Sequence, residues 1–119
     1  GIMCNILVCL AVLLAGVCQD AIGKIFACFF PIWAFVIAGY EHCVANMYYI
    51  PAGLLAKHGE AYYDAAIMAG MTPDQLDSMT VGKFFLNNLL PVTLGNMLGG
   101  MVFVGLPLYL IYKKNWENK

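Results

Sequence analysis

The chain has 119 residues, of which 62% are hydrophobic and 11% charged, with a formal net charge of −1 at pH 7. An ordinary soluble domain is about 45–50% apolar and about 25% charged. One this small cannot hide so large an apolar excess, which points to lipid as the solvent and an all-α integral membrane fold as the class. No basic cluster offers a footprint for nucleic acid, so nucleic-acid binding is excluded as a function.

Residues 1–18 carry no charge and one amide, Asn5. Eighteen residues at about 1.5 Å rise nearly cross a bilayer core, so the first predicted span lies here. Gly1 opens straight into this apolar run, without the basic lead and cleavage site of a signal peptide. The expectation is that further chain precedes it. Residues 19–24 form a short polar connection.

Residues 25–56 are apolar except for Glu41 and His42. A continuous helix of that length would run roughly 48 Å, well beyond a hydrocarbon core of about 30 Å. The excess predicts an interruption near residues 40–46, where Gly39 supplies permissive dihedrals, with Pro31 and Pro51 placing kinks nearer the ends. Non-helical backbone at membrane depth survives only where protein or a watery cavity covers it. Ionisable groups at that depth are costly and usually mark a pathway; the alternative is that Glu41 and His42 are paired, neutral and structural.

On an unbroken helix Glu41 and His42 would point about 100° apart. One is therefore expected to serve a pathway and the other, with Gly39, to brace it. Histidine suits the pathway, because an imidazole donates hydrogen bonds and titrates near physiological pH. Asn46 follows His42 by four residues and would share its face on a continuing helix. Phe35 lies about two turns before His42, where a bulky apolar side chain can gate a pore by dewetting or simply pack against lipid.

Residues 57–83 are polar and water-facing. Within them Thr72-Pro73-Asp74-Gln75 reads as an N-cap, a proline at the first helical position and a glutamine at the third, which starts a short helix. Residues 60–69 can form another amphipathic turn or two, and both pieces are expected to be connecting structure. Residues 84–112 form the third uncharged run. Asn87 and Asn88 lie at its outer end, suited to capping or snorkelling, and Asn96 lies near its middle. Buried amides such as Asn5 and Asn96 either fasten helices or replace water around an ion. Gly95 and Gly99 form a GxxxG pattern that favours close helix approach, within one subunit or between two.

The tail, residues 113–119, holds three lysines against one glutamate, whereas the long loop holds two lysines against four carboxylates. By the positive-inside rule the tail is cytoplasmic and the long loop external. The five cysteines, Cys4, Cys9, Cys18, Cys28 and Cys43, form no CxxC pair and read as small buried thiols. Neither a metal nor a cofactor is implied.

Three segments together resemble the formate/nitrite transporter family. Gly39-Tyr40-Glu41-His42-Cys43-Val44-Ala45-Asn46-Met47 resembles its signature around a central histidine. Cys4-Asn5-Ile6-Leu7-Val8-Cys9-Leu10-Ala11 resembles the start of its fourth span, and Asn88-Leu89-Leu90-Pro91-Val92-Thr93-Leu94-Gly95-Asn96 its sixth. The resemblance implies an aquaporin-like helical bundle of two inverted halves, assembled as a homo-pentamer with a pore in each protomer. This chain corresponds to the second half, with its middle span interrupted, and the N-terminal half would be a partner in the same protein.

Carried over by motif, His42 is the central pore histidine with Glu41 beside it. Asn5 and Asn96 match pore-region asparagines, and Phe35 matches a constriction phenylalanine on the cytoplasmic side. The implied activity is conduction of a small monovalent weak-acid anion such as formate, nitrite or hydrosulfide across the cell (inner) membrane. Two other readings of the residues stay open. An ion-coupled secondary transporter shares the broken-helix design. A membrane anchor of a redox complex could use His42 as a haem ligand, although His58, the other histidine, lies outside the apolar run.

Overall fold

The computed structural model describes residues 1–117, and among them every regular element is a helix. Asn118 and Lys119, the end of the expected tail, lie outside the described residues.

Helix α1 spans Ile2–Val17 and α2 spans Ala21–Ile37. The second element therefore begins at residue 21 and not at 25. The reason is Asp20, whose carboxylate accepts from the Gly23 backbone N–H at 2.7 Å and satisfies a donor that the first helical turn would leave unpaired. Pro31 is accommodated inside α2 and is buried.

The interruption also lies earlier than expected, over residues 38–42 and not 40–46, since helix α3 resumes at Cys43 and runs to Ala56. Gly39 sets the stop. It adopts φ +65, a left-handed conformation that costs a residue with a Cβ. The Gly39 N–H then reaches the Val36 carbonyl at 3.1 Å, and the Tyr40 N–H reaches the Phe35 carbonyl at 3.0 Å. These two bonds are the Schellman closure, which pairs the Phe35 and Val36 carbonyls and ends the helix.

The same device ends helix α4 (Glu60–Met68). Gly70 has φ +96, its N–H bonds the Ile67 carbonyl, and the Met71 N–H bonds the Ala66 carbonyl. Helix α5 (Pro73–Ser78) starts on the capping box legible in the sequence: Thr72 accepts from the Gln75 N–H while the Gln75 side chain accepts from the Thr72 N–H. Lys57 fastens the far end of α5, donating from Nζ to the carbonyls of Leu76 at 3.2 Å and Met79 at 2.7 Å.

A long apolar helix follows, Val81–Lys113, opened by the Thr80 hydroxyl accepting from the Lys83 N–H. Two stretches of it, Phe84–Leu89 and Leu98–Gly105, are wound as π-helix. It is long and apolar enough to cross a membrane, and α1, α2 and α3 are shorter apolar helices.

The chain divides into two compact units. One joins residues 1–42 to the chain from Val92 onward, and the other is Cys43–Pro91. In the first, α1 packs on α2 and on the Leu98–Gly105 stretch. Glycines make that approach possible. A Cβ at Gly95 would touch Gly1, and one at Gly99 would collide with the Ile2 carbonyl. The GxxxG face is thus occupied by α1 of the same chain. In the second unit α3 packs on the Phe84–Leu89 stretch.

Large apolar side chains cover the outside: Phe29, Phe30 and Trp33 are more than half exposed. The small interior is mostly apolar too, and Asn96 is the one polar residue buried in it among the described residues, at 4%. An apolar exterior is what a lipid solvent selects.

Candidate functional site

The buried amide and the helix break meet. Asn96 extends from the long helix, and its Nδ2 donates to the Gly1 carbonyl at 2.9 Å and to the Glu41 carbonyl at 3.1 Å. Asn5 of α1 donates from Nδ2 to the Asn96 backbone carbonyl at 2.7 Å. The two asparagines therefore fasten the start of α1, the long helix and the interrupted segment to one another. A side chain reaching a helix carbonyl is a recognised cause of local unwinding, and the π-wound stretch begins two residues later, at Leu98. Gly100 leaves the room that this needs, since a Cβ there would stand 2.5 Å from Asn5 Nδ2.

This geometry separates two roles that the sequence left together. A primary amide has two N–H donors. Asn96 gives both to backbone carbonyls. Asn5 uses one in the bond to Asn96.

His42 lies on the non-helical segment, one residue after the carbonyl that Asn96 holds, and is half-buried. Its imidazole stacks on the Phe35 ring, with centroids 5.7 Å apart and planes 18° from parallel. Phe35 is buried, at 9% exposure, and its own carbonyl receives the Tyr40 N–H. Glu41 contributes its main-chain carbonyl to the bracket, and its residue surface is exposed in this chain. Gly39 supplies the left-handed turn that brings the segment out of α2.

Asn46 behaves differently from its expected place on the His42 face. Helix α3 starts only at Cys43, so no continuous helix carries both residues. Asn46 lies in the second unit, where its Nδ2 donates to Asn88 Oδ1 at 2.7 Å. Asn88 is thus a partner that sequence reasoning left as a cap. The two residues are 42 apart in sequence, and no local pattern links them. Lys57 was likewise read only as loop charge, yet it holds the end of α5. The five cysteines form no disulfide; Cys4 is fully buried as expected, whereas Cys9, Cys18, Cys28 and Cys43 are only half-buried.

Residues 1–110 match the formate/nitrite transporter family. A probable formate transporter from Methanothermobacter thermautotrophicus is 45% identical over 111 residues, covering 93% of this chain and 33% of that protein. The formate channel FocA of Escherichia coli (strain K12) is 37% identical over 120 residues, covering 99% of this chain and 41% of its own length. A solved pentameric formate channel with formate bound superposes with a TM-score of 0.77 at 41% identity, over 93% of this chain and 43% of that one. The chain spans about a third to two-fifths of the length of these curated relatives. Its fold is the aquaporin-like, all-helical one with an interrupted middle element.

Proposed function

The chain belongs to the formate/nitrite transporter family, and from that membership we propose that it supplies the second half of a channel for small monovalent weak-acid anions. The observation that carries the reading is the helix break fastened by a buried amide, with His42 presented from it outside any helix. The charge-poor apolar helices on either side make an aqueous, lined pathway the natural reason for keeping an imidazole there.

In this reading the pathway residues are His42, Phe35, Asn5 and Asn96. Phe35 forms an apolar constriction that disfavours a bare, hydrated ion. His42 donates a hydrogen bond or a proton at the centre, so the permeating species passes as a neutral acid or close to it. Asn5 has one N–H beyond its bond to Asn96 to offer. Asn96 serves by holding the centre in place, and Glu41 and Gly39 brace the same segment. Asn46 holds α3 to the start of the long helix through Asn88. The complete channel joins this half to an N-terminal half, assembles as a homo-pentamer in the cell (inner) membrane and keeps its C-terminus cytoplasmic.

Swelling of liposomes carrying the complete protein tests this, with formate, nitrite and hydrosulfide compared across pH. Permeation of at least one anion, steepest at acidic pH, is expected. A His42→Phe channel should lose that pH dependence. No permeation by any of the three overturns the channel reading, and unchanged pH dependence in the variant overturns the role of His42.

A further inference from the structure

The aromatic side chains of α2 divide into two groups. Phe26, Phe29, Phe30 and Trp33 contact one another in stacked and edge-on pairs, and all four are more than half exposed. Phe35 is buried, and its ring lies against His42. A dewetting constriction requires bulk and apolarity, which leucine supplies as well as phenylalanine. A stack with centroids 5.7 Å apart and planes 18° from parallel requires a ring.

His42 sits on backbone that no helical ladder fixes, where side-chain orientation is set by what the ring touches, and the Phe35 ring is one of those contacts. Phe35 is held firmly, because it lies within the regular part of α2. It grips the break twice, through its carbonyl to the Tyr40 N–H at 3.0 Å and through its ring to the imidazole.

We infer that Phe35 is a positioning residue for His42: its ring fixes the orientation of the imidazole, so that the constriction and the hydrogen-bond donor act as one unit. A permeating anion then meets a donor already aimed along the pathway. Filling the space of Phe35 with a branched aliphatic group, which has no flat face, would keep the barrier and lose the aim. The inference rests on the pore reading above for its consequence, and on the stacked geometry alone for its cause.

A double-variant cycle separates this from an independent apolar plug. The complete protein is reconstituted in liposomes as wild type, Phe35→Leu, His42→Leu, the pair combined, and Phe35→Tyr, and formate flux is measured. Loss of an aimed hydrogen bond to a charged ligand lowers flux about tenfold in His42→Leu, and Phe35→Leu should approach the same value. The combined variant should fall no further than His42→Leu, and Phe35→Tyr should recover most of the flux lost in Phe35→Leu. Near-wild-type flux in Phe35→Leu, or multiplied losses in the combined variant, overturns the inference.

A second measurement does not depend on transport. Solid-state NMR of protein labelled with nitrogen-15 histidine, with His58 as internal reference, should show one set of His42 ring signals in wild type and Phe35→Tyr. Phe35→Leu should split or broaden them. His42 signals that stay single and sharp in Phe35→Leu overturn the inference whatever the flux, whereas absence of flux in wild type overturns only the pore reading.

Discussion

Asn96, itself 4% exposed, gives both of its amide hydrogens to main-chain carbonyls, those of Gly1 and Glu41. Truncating it removes both bonds, at about 0.5–1.5 kcal/mol each, although the Gly1 carbonyl keeps the bond from the Asn5 backbone N–H at 3.2 Å. Asn96→Ala is therefore expected to lower the thermal midpoint of the protein in detergent. Asn96→Asp should do the same, because a carboxylate has no N–H to give. A midpoint within error of wild type for both would contradict the bracket. The amide itself was legible in the sequence as a polar residue inside an uncharged run. Its partners were not, because they lie 95 and 55 residues away and are main-chain atoms, which carry no residue-type signal. For the same reason sequence alone left Asn96 equally suited to fastening helices and to contacting an ion.

Elements were legible where the determining chemistry is local. The capping box at Thr72 and the glycine at the end of α2 are read within a few residues, and both appear as expected in kind. The break was expected to extend to residue 46 because no residue pattern after His42 marks where a helix resumes, whereas α3 begins at Cys43. The actual stop is set by Gly39 at the position after the helix cap, and the start of α2 by Asp20, which lies outside the apolar run. Gly39→Ala forces a Cβ into φ +65, where the penalty is about 1–2 kcal/mol. Nothing crowds the position, so the strain is conformational, and Gly39→Asn should cost less than Gly39→Ala, since asparagine visits this region more readily. Equal melting midpoints for the two variants would refute that account. Faster hydrogen exchange at the Tyr40 amide in Gly39→Ala would locate the effect in the Schellman closure.

At the scale of the whole molecule the sequence established lipid as the solvent and left the use of its small residues open, since a GxxxG pattern serves contacts within a chain and between chains alike. The path of α1 resolves it: the Ile2 carbonyl lies where a Gly99 side chain would have to go, and Asn5 lies where a Gly100 side chain would. Overpacking of a fitted interface costs about 1–3 kcal/mol. At Gly99 the obstacle is main chain, which cannot rotate aside as a long side chain would. Gly99→Leu should therefore loosen α1 from the long helix and, through Asn5 and Asn96, release the segment that carries His42. The expected signature is a lower melting midpoint together with faster hydrogen exchange across the start of α1. If the glycines instead served contacts between subunits, the same substitution would split the oligomer on a native gel while leaving exchange in α1 unchanged. The two outcomes differ in the exchange data, so one peptide-resolved exchange experiment tests the assignment of this stripe of glycine to contacts within the chain.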